Sequence, residues 1–130
     1  MNLCLAGAGA FGIKHLEALA KIDGVKVTSL VGRTREPTEE VARKFGIGHV
    51  ATELDESLAR ADVDAVILAT PTQMHASQSI ASLKAGKHVQ VEIPLADSLK
   101  DAEAVLAAQK ASGKIAMVGH TRRFNPSHQW

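Results

Sequence analysis

Apolar residues in this chain fall into short unbroken runs, separated by longer stretches with helical periodicity. The runs at residues 3–6 and 64–69 are apolar at nearly every position rather than at every second one, which is typical of strands buried on both faces. The pattern predicts strands at residues 3–6, 25–31, 49–50, 64–69, 87–92 and 115–118. It therefore indicates an α/β fold, a doubly wound and mostly parallel sheet of five or six strands with helices on both faces.

The stretches between these runs carry turn and capping residues at their ends. They predict helices at residues 11–21, 37–45, 54–60, 73–84 and 98–111. Pro37 is expected to open the second helix, where a missing N–H costs nothing, and Gly46 to close it. Ser98 and Asp101 resemble a capping box at the start of the last helix. Residues 120–130 read as an irregular polar tail.

Composition and charge narrow the class of protein. The 130 residues suffice for one domain, and 45% hydrophobic with 22% charged residues is the balance of a globular chain. A formal net charge of +1 gives no basic field, so nucleic acid is not an expected partner. No apolar run reaches membrane length, so we expect no membrane span and a reducing cytoplasm as the compartment. The absence of tyrosine excludes, within this chain, a Tyr-x-x-x-Lys type of oxidoreductase mechanism.

A glycine-rich loop is the most informative segment of the chain. Gly7-Ala8-Gly9-Ala10-Phe11-Gly12 is a G-x-G-x-x-G that directly follows a predicted strand and runs into a predicted helix. The first glycine suits a tight turn, the second lets the backbone approach a pyrophosphate, and the third lets helix and sheet pack closely. Free N–H groups at the helix start would then face the diphosphate. The pattern predicts a Rossmann-type dinucleotide site, and the alternative is a tight turn that binds nothing.

The end of the second predicted strand bears on which dinucleotide is bound. An NAD site places an acidic residue there, which hydrogen-bonds the ribose 2′-OH. This chain instead has Gly32, Arg33 and Thr34. A guanidinium accepts a 2′-phosphate through two hydrogen bonds, with the threonine hydroxyl as a further donor. The residues favour NADP, with NAD as the second possibility, and the alternative is that Arg33 is a solvated loop residue.

Cysteine and histidine give no sign of a nucleophile or a metal site. The single cysteine, Cys4, lies in a predicted buried strand, where a thiol is usually inert. The six histidines show no HxxxH or HxH spacing, so no metal is expected.

Three further segments make the chain similar to the Gfo/Idh/MocA family of sugar and polyol oxidoreductases. They read ATPTQMH at residues 69–75, GKHVQVEIPL at 86–95 and GHTRRFNP at 119–126. The resemblance implies that residues 1–119 form an NADP-binding Rossmann domain. It also implies that residues 120–130 are a tail or linker to a C-terminal α/β substrate domain absent from this chain. The 130 residues alone are therefore expected to bind cofactor without turning over substrate.

The same resemblance implies which residues lie near the cofactor. Thr70 and Pro71 follow one predicted strand, and His75 lies in the helix after it. Glu92 is expected near the nicotinamide ribose and Pro94 under the nicotinamide, with a cis bond between residue 93 and Pro94. The alternative for His75 is a helix residue that faces solvent.

One position departs from the family pattern. Most members have Glu-Lys-Pro where this chain has Glu92-Ile93-Pro94, and that lysine is their usual proton-transfer partner. Isoleucine can transfer no proton, so the resemblance leaves the general base unassigned.

The residues around Ile93 and in the tail resemble one branch of the family. Its members oxidise the cyclic hemiacetal of 4-carboxy-2-hydroxymuconate-6-semialdehyde to 2-pyrone-4,6-dicarboxylate with NADP, in bacterial aromatic degradation. The resemblance therefore implies a small carboxylate substrate, with Arg122 and Arg123 as binders of its carboxylates and His120 as a polar neighbour. The alternative for these three residues is a solvated linker.

Two other functions stay open from the sequence. The substrate could be a sugar, polyol or dihydrodiol, or the chain could be a nucleotide-binding module without catalysis. Apolar surface left by an absent domain also predicts a homo-oligomer, in which terminal elements exchange between copies.

Overall fold

Six parallel strands and five α-helices alternate along the chain in the computed structural model, which describes residues 1–128. The strands are β1 (Asn2–Ala6), β2 (Lys26–Val31), β3 (His49–Ala51), β4 (Ala65–Leu68), β5 (His88–Glu92) and β6 (Ala116–Gly119). The helices are α1 (Ala10–Leu19), α2 (Arg35–Phe45), α3 (Leu54–Leu58), α4 (Thr72–Lys84) and α5 (Leu99–Ser112).

The strand order is β3-β2-β1-β4-β5-β6, and every neighbouring pair is parallel. The strands β2 and β3 therefore lie on one side of β1, and β4, β5 and β6 lie on its other side. This confirms the predicted doubly wound α/β fold. The winding reverses between β1 and β4, and the crevice at such a point is where open α/β sheets bind their ligands.

The apolar runs in the strands pack against helices on both faces of the sheet. In β1, Leu3 and Leu5 pack in the cluster with Leu16 of α1 and Ala42 of α2. Cys4 and Ala6 point the other way, into a second cluster that includes residues of α3, α4 and α5. Two buried faces explain why the strand sequences are continuously apolar rather than alternating.

Most predicted element ends lie within two residues of those observed. The prediction that Pro37 opens α2 is wrong by two residues, because the helix begins at Arg35. A proline is tolerated there since the N–H groups of the whole first turn have no intrahelical partner. Gly46 closes α2 in the left-handed conformation, with φ of 67°. The Ser98 hydroxyl accepts a hydrogen bond from the Asp101 amide, as the capping-box motif predicts.

The segment after β6 differs from the irregular tail that the sequence suggested. It forms two short 3₁₀ helices, Thr121–Phe124 and Pro126–His128. The last two residues of the predicted tail, 129 and 130, lie outside the described residues. Among residues 1–128, no helix is both long enough and apolar enough to cross a membrane.

Candidate functional site

The loop between β1 and α1 makes a sharp turn in which two glycines approach other backbone atoms so closely that no side chain would fit. Gly7 has φ of 112°, and a Cβ there would collide with the Ala69 carbonyl oxygen of the loop after β4. At Gly12, a Cβ would collide with the Gly7 carbonyl oxygen. These two close approaches bring the start of α1 against the ends of β1 and β4, at the reversal of the sheet.

Gly9 differs from these two glycines because its side-chain position is open. No atom lies within 4 Å of the place where a Cβ would stand, and Gly9 itself is exposed. It is the N-cap of α1, and no side chain caps the helix there. The first N–H groups of a helix have no intrahelical partner. Their partial positive charge at an open helix start suits a phosphate group.

A cleft of about 910 Å³ opens beside this helix start. Its walls come from the loops that follow β1, β2, β3 and β4, together with one side of α4. Seven of the predicted cofactor-binding residues line it: Gly7, Gly9, Gly32, Arg33, Thr34, Thr70 and Pro71. The other predicted residues, Ala10, Phe11, Gly12, His75, Glu92 and Pro94, lie outside its walls.

Arg33 and Arg35 have different surroundings, although both are exposed. Arg33 lines the cleft. Arg35 instead pairs with Glu39 one helical turn away, with 3.4 Å between Nη1 and Oε1. A Cβ on Gly32 would collide with the Thr38 hydroxyl, which itself donates to the Thr34 carbonyl oxygen at 2.7 Å. Gly32 thus lets α2 approach the end of β2 closely.

His75 is buried, so the interpretation of it as a solvent-facing helix residue is wrong. Only 2% of the residue is exposed. Its Nδ1 lies 2.7 Å from the Pro94 carbonyl oxygen, and its Nε2 lies 2.8 Å from the Thr70 carbonyl oxygen. The ring therefore joins the loops after β4 and β5.

An acid and an imidazole meet at the end of β5. Glu92 is 8% exposed, and its Oε1 lies 2.9 Å from Nε2 of His15 in α1. The His15 ring also packs edge-on against the Phe11 ring, with centroids 5.3 Å apart. The next peptide bond, between Ile93 and Pro94, is cis, as predicted. Ile93, the next residue after Glu92, is 44% exposed.

The predicted substrate residues follow β6. His120, Arg122 and Arg123 are all exposed. His120 bonds within its own turn, with Nδ1 3.4 Å from the Val118 carbonyl oxygen. Gly119 lies opposite Glu92 in the β5–β6 ladder, so these three residues emerge at the same edge of the sheet as the His15–Glu92 pair.

Cys4 lies in a buried strand, as the sequence suggested. Cys4 is fully buried, and this burial raises the pKa of its thiol to about 11. A thiol with such a pKa stays protonated near neutral pH and is a poor nucleophile. Within residues 1–128, no group of three or more His, Cys, Asp or Glu side chains is arranged to hold a metal ion.

Sequence reasoning missed two parts of the site. The first is the far wall of the cleft: Thr52, Glu53, Leu54 and Asp55 after β3, and Met74, Ser77, Gln78 and Ala81 of α4. The segments could have been predicted from their positions after β3 and β4, because the loops at the carboxyl ends of parallel strands form the ligand crevice. The second is His15, for which a single sequence carries no sign that it meets a residue 77 positions away.

Comparisons with known proteins agree with this geometry. Residues 1–120 match the model of the family described as GFO_IDH_MocA, the oxidoreductase family with an NAD-binding Rossmann fold. The chain is 63% identical over all of its 130 residues to 4-carboxy-2-hydroxymuconate-6-semialdehyde dehydrogenase of Sphingobium sp. (strain NBRC 103272 / SYK-6), and covers 41% of it. It is 32% identical to scyllo-inositol 2-dehydrogenase (NADP(+)) IolU of Bacillus subtilis (strain 168), over 98% of this chain and 39% of that relative.

The fold also matches a solved structure with a bound nucleotide. The crystal structure of GenD2 from gentamicin A biosynthesis, in complex with NAD, superposes with a TM-score of 0.92 at 31% identity. The match covers 97% of this chain and 36% of that one. The chain thus spans about two-fifths of the length of the proteins that it matches.

Proposed function

The chain belongs to the Gfo/Idh/MocA family of oxidoreductases, and from this premise we propose that it binds NADP along the carboxyl edge of its sheet. The observation that carries the proposal is the uncapped start of α1 at Gly9, which is open to solvent beside the cleft. A bound nicotinamide supplies the chemistry of the family, because it accepts a hydride from a substrate carbon. The chain's own residues bind and orient it.

The proposed roles follow the position of each residue around the cleft. The N–H groups of Ala10, Phe11 and Gly12 hold the diphosphate, because they are the first of α1 and lack partners within the helix. Gly7 and Gly9 leave the diphosphate room beside the backbone.

The second half of the site lies at the ends of β4 and β5. Thr70 and Pro71 form the wall of the cleft where β4 ends. Glu92 and Pro94 lie at the end of β5, on the side where the nicotinamide half would extend. His75 acts by positioning these loops, since its ring meets the carbonyl oxygens of Thr70 and Pro94.

Arg33 is the basis for proposing NADP rather than NAD. The acidic residue of an NAD site is missing at the end of β2, and a guanidinium lines the cleft there beside the Thr34 hydroxyl. An acidic side chain would repel a 2′-phosphate, whereas a guanidinium binds it through two hydrogen bonds.

The dissociation constants of NADP⁺ and NAD⁺ for this chain and two arginine variants test the proposal. The unmodified chain is expected to bind NADP⁺ more tightly. Arg33→Ala should weaken NADP⁺ binding about tenfold, the loss of one or two charge-assisted hydrogen bonds, and leave NAD⁺ unchanged. Arg35→Ala is the matched control, because that guanidinium is held by Glu39. Equal affinities of the unmodified chain for the two nucleotides would contradict the NADP preference.

For the whole protein, we propose oxidation of the hemiacetal form of 4-carboxy-2-hydroxymuconate-6-semialdehyde to 2-pyrone-4,6-dicarboxylate. The identity of 63% over the full chain with a dehydrogenase of that name supports this substrate. The presence of Ile93 in place of a proton-transferring lysine is also compatible with this substrate. A hemiacetal hydroxyl is more acidic than a sugar alcohol, so hydride release needs less help from a general base. Arg122 and Arg123 are the proposed carboxylate binders, and His120 their polar neighbour.

A sugar or polyol substrate is the second candidate, because one relative is an inositol dehydrogenase. A substrate panel on the full-length protein distinguishes the two, with the semialdehyde, myo-inositol and glucose compared under the same conditions. The semialdehyde is expected to react with the highest kcat/KM. A failure of all three to react would favour a nucleotide-binding module without catalysis.

We also propose that the chain self-associates and works in a reducing cytoplasm. Large apolar side chains are exposed on α5, just before β6, on β6 and after it: Leu99, Leu106, Ile115, Met117 and Phe124. Such a surface suits a second copy or a companion domain. The single cysteine is buried and unpaired, which fits a compartment without disulfides.

A further inference from the structure

Glu92 has little charge compensation for a buried carboxylate. Successive side chains in a strand point to opposite faces. Val89 and Val91 pack in the cluster on the α4 and α5 face, so Glu92 points to the α1 face of the sheet. Its partner there is the His15 ring. Gly119 of β6 leaves room for it, since a Cβ at Gly119 would stand 3.0 Å from the Glu92 Oε1 atom.

The residue beside this carboxylate carries no charge. Ile93 follows Glu92 directly and is 44% exposed at the same edge. A lysine at this position would add a positive charge one residue along the chain from Glu92 and partly offset the field of the carboxylate. Within residues 1–128, the ion-pair partner found for Glu92 is the imidazole of His15, which is charged only when protonated.

The topology places Glu92 on the nicotinamide side of the proposed site. The diphosphate is proposed at the start of α1, after β1, and the 2′-phosphate at Arg33, after β2. A dinucleotide lies across the reversal between β1 and β4. Its second nucleoside therefore extends towards the ends of β4 and β5, where Glu92 lies.

The nicotinamide ring changes charge when it reacts. It is a cation in the oxidised cofactor and neutral in the reduced one. A carboxylate in a partly desolvated position attracts the cation and has no such attraction for the neutral ring. A protein tunes a cofactor through charges of this kind near its reactive ring.

We propose that Glu92, held by His15 and left without a neighbouring cation by Ile93, makes the site selective for the oxidised over the reduced cofactor. The inference rests on the proposed function, since it requires a nicotinamide nucleotide in this crevice. Glu92 is thus a specificity-determining residue, and His15 is the residue that positions it.

The test compares the dissociation constants of NADPH, from its fluorescence, and of NADP⁺, by competition, at one pH. The quantity of interest is the ratio of the two constants. Glu92→Gln keeps an oxygen that accepts from His15 and removes the charge. Ile93→Lys adds a cation at an exposed position next to Glu92. Each variant should lower the preference for the oxidised form about fivefold to tenfold.

Two matched controls carry the same chemical changes away from the site. Glu103→Gln removes a carboxylate from the exposed side of α5, and Ile22→Lys adds a cation at an exposed position after α1. Both should leave the ratio unchanged. If Glu92→Gln does not fold, Ile93→Lys decides the question by itself.

The outcomes separate this inference from the function it rests on. A ratio that shifts in both site variants and in neither control supports it. Tight binding of both nucleotides with an unchanged ratio, or an equal shift in the controls, overturns the inference and leaves the proposed function intact. If neither nucleotide binds the unmodified chain, the proposed function fails and the inference fails with it.

Discussion

At the scale of single residues, the three glycines of the loop after β1 have different structural roles. Gly7 and Gly12 are required by the fold, because a side chain at either one would meet a carbonyl oxygen of the backbone. Gly9 is not required by the fold, since its side-chain position is open and its φ of −78° suits any residue. What Gly9 keeps clear is the space in front of the helix start.

This difference predicts opposite results for two valine variants. Gly9→Val should still fold, with a melting temperature lower by a few degrees because valine is a poorer N-cap than glycine. It should bind NADP⁺ about tenfold more weakly or worse, because the side chain occupies the approach of the diphosphate. Gly12→Val should lose stability, since its side chain meets Gly7. Thermal unfolding and isothermal titration measure both effects. Normal nucleotide binding by a folded Gly9→Val chain would refute the diphosphate position.

Residue-level features were predicted well where the chemistry is local. The glycine loop is a property of a few adjacent residues, and the cis bond before Pro94 was expected from the family resemblance. His15 with Glu92, and His75 with the Pro94 carbonyl, join residues from different elements. These contacts depend on the exact position and rotation of each helix on the sheet, and hydrophobic periodicity does not specify either of them.

At the scale of elements, continuous apolar runs and end signals account for most of the fold. Residues that alternate in β1 enter two different cores, which is why both positions are apolar. The short elements were harder to place, because β3 has only three residues and α3 only five. The loop between these two supplies a wall of the cleft, and it carries no motif of its own.

The cap of α5 gives a direct prediction at this scale. The Ser98 hydroxyl accepts from the Asp101 amide at 3.1 Å and also bonds the Asp101 carboxylate at 2.7 Å. Ser98→Ala should lower the free energy of unfolding by about 1 kcal/mol, and Ser98→Asp should retain most of it. Chemical denaturation measures the change. Ser77→Ala, which removes an exposed hydroxyl inside α4, is the control and should cost little. An equal loss in both variants would contradict the capping role.

At the scale of the whole molecule, the cleft occupies one part of the carboxyl edge of the sheet. The cleft is walled by the ends of β1 to β4, while the ends of β5 and β6 carry exposed residues. The proteins that it matches are about two and a half times as long. Under the proposed function, we therefore expect these 130 residues to bind the nucleotide, and substrate turnover is a proposal for the full-length protein.

The exposed apolar residues near β6 predict self-association of this chain. Met117 and Ile115 are 55% and 66% exposed, and they lie on the last strand of the sheet and just before it. Light scattering over a range of concentrations should show a mass that rises above that of one chain. Met117→Lys should reduce this rise, and Met74→Lys, in the cleft, should not. A monomer at every concentration would contradict the prediction.

The central claim is that main-chain N–H groups at the start of α1 bind the diphosphate of a dinucleotide. Amide chemical shifts during a titration of the ¹⁵N-labelled chain with NADP⁺ test it most directly. We predict saturable shifts at Gly9, Ala10, Phe11 and Gly12, followed in size by those at Gly32, Arg33 and Thr34. Amides of the first group that stay unmoved at saturating nucleotide, or no saturable shift at all, would contradict the account.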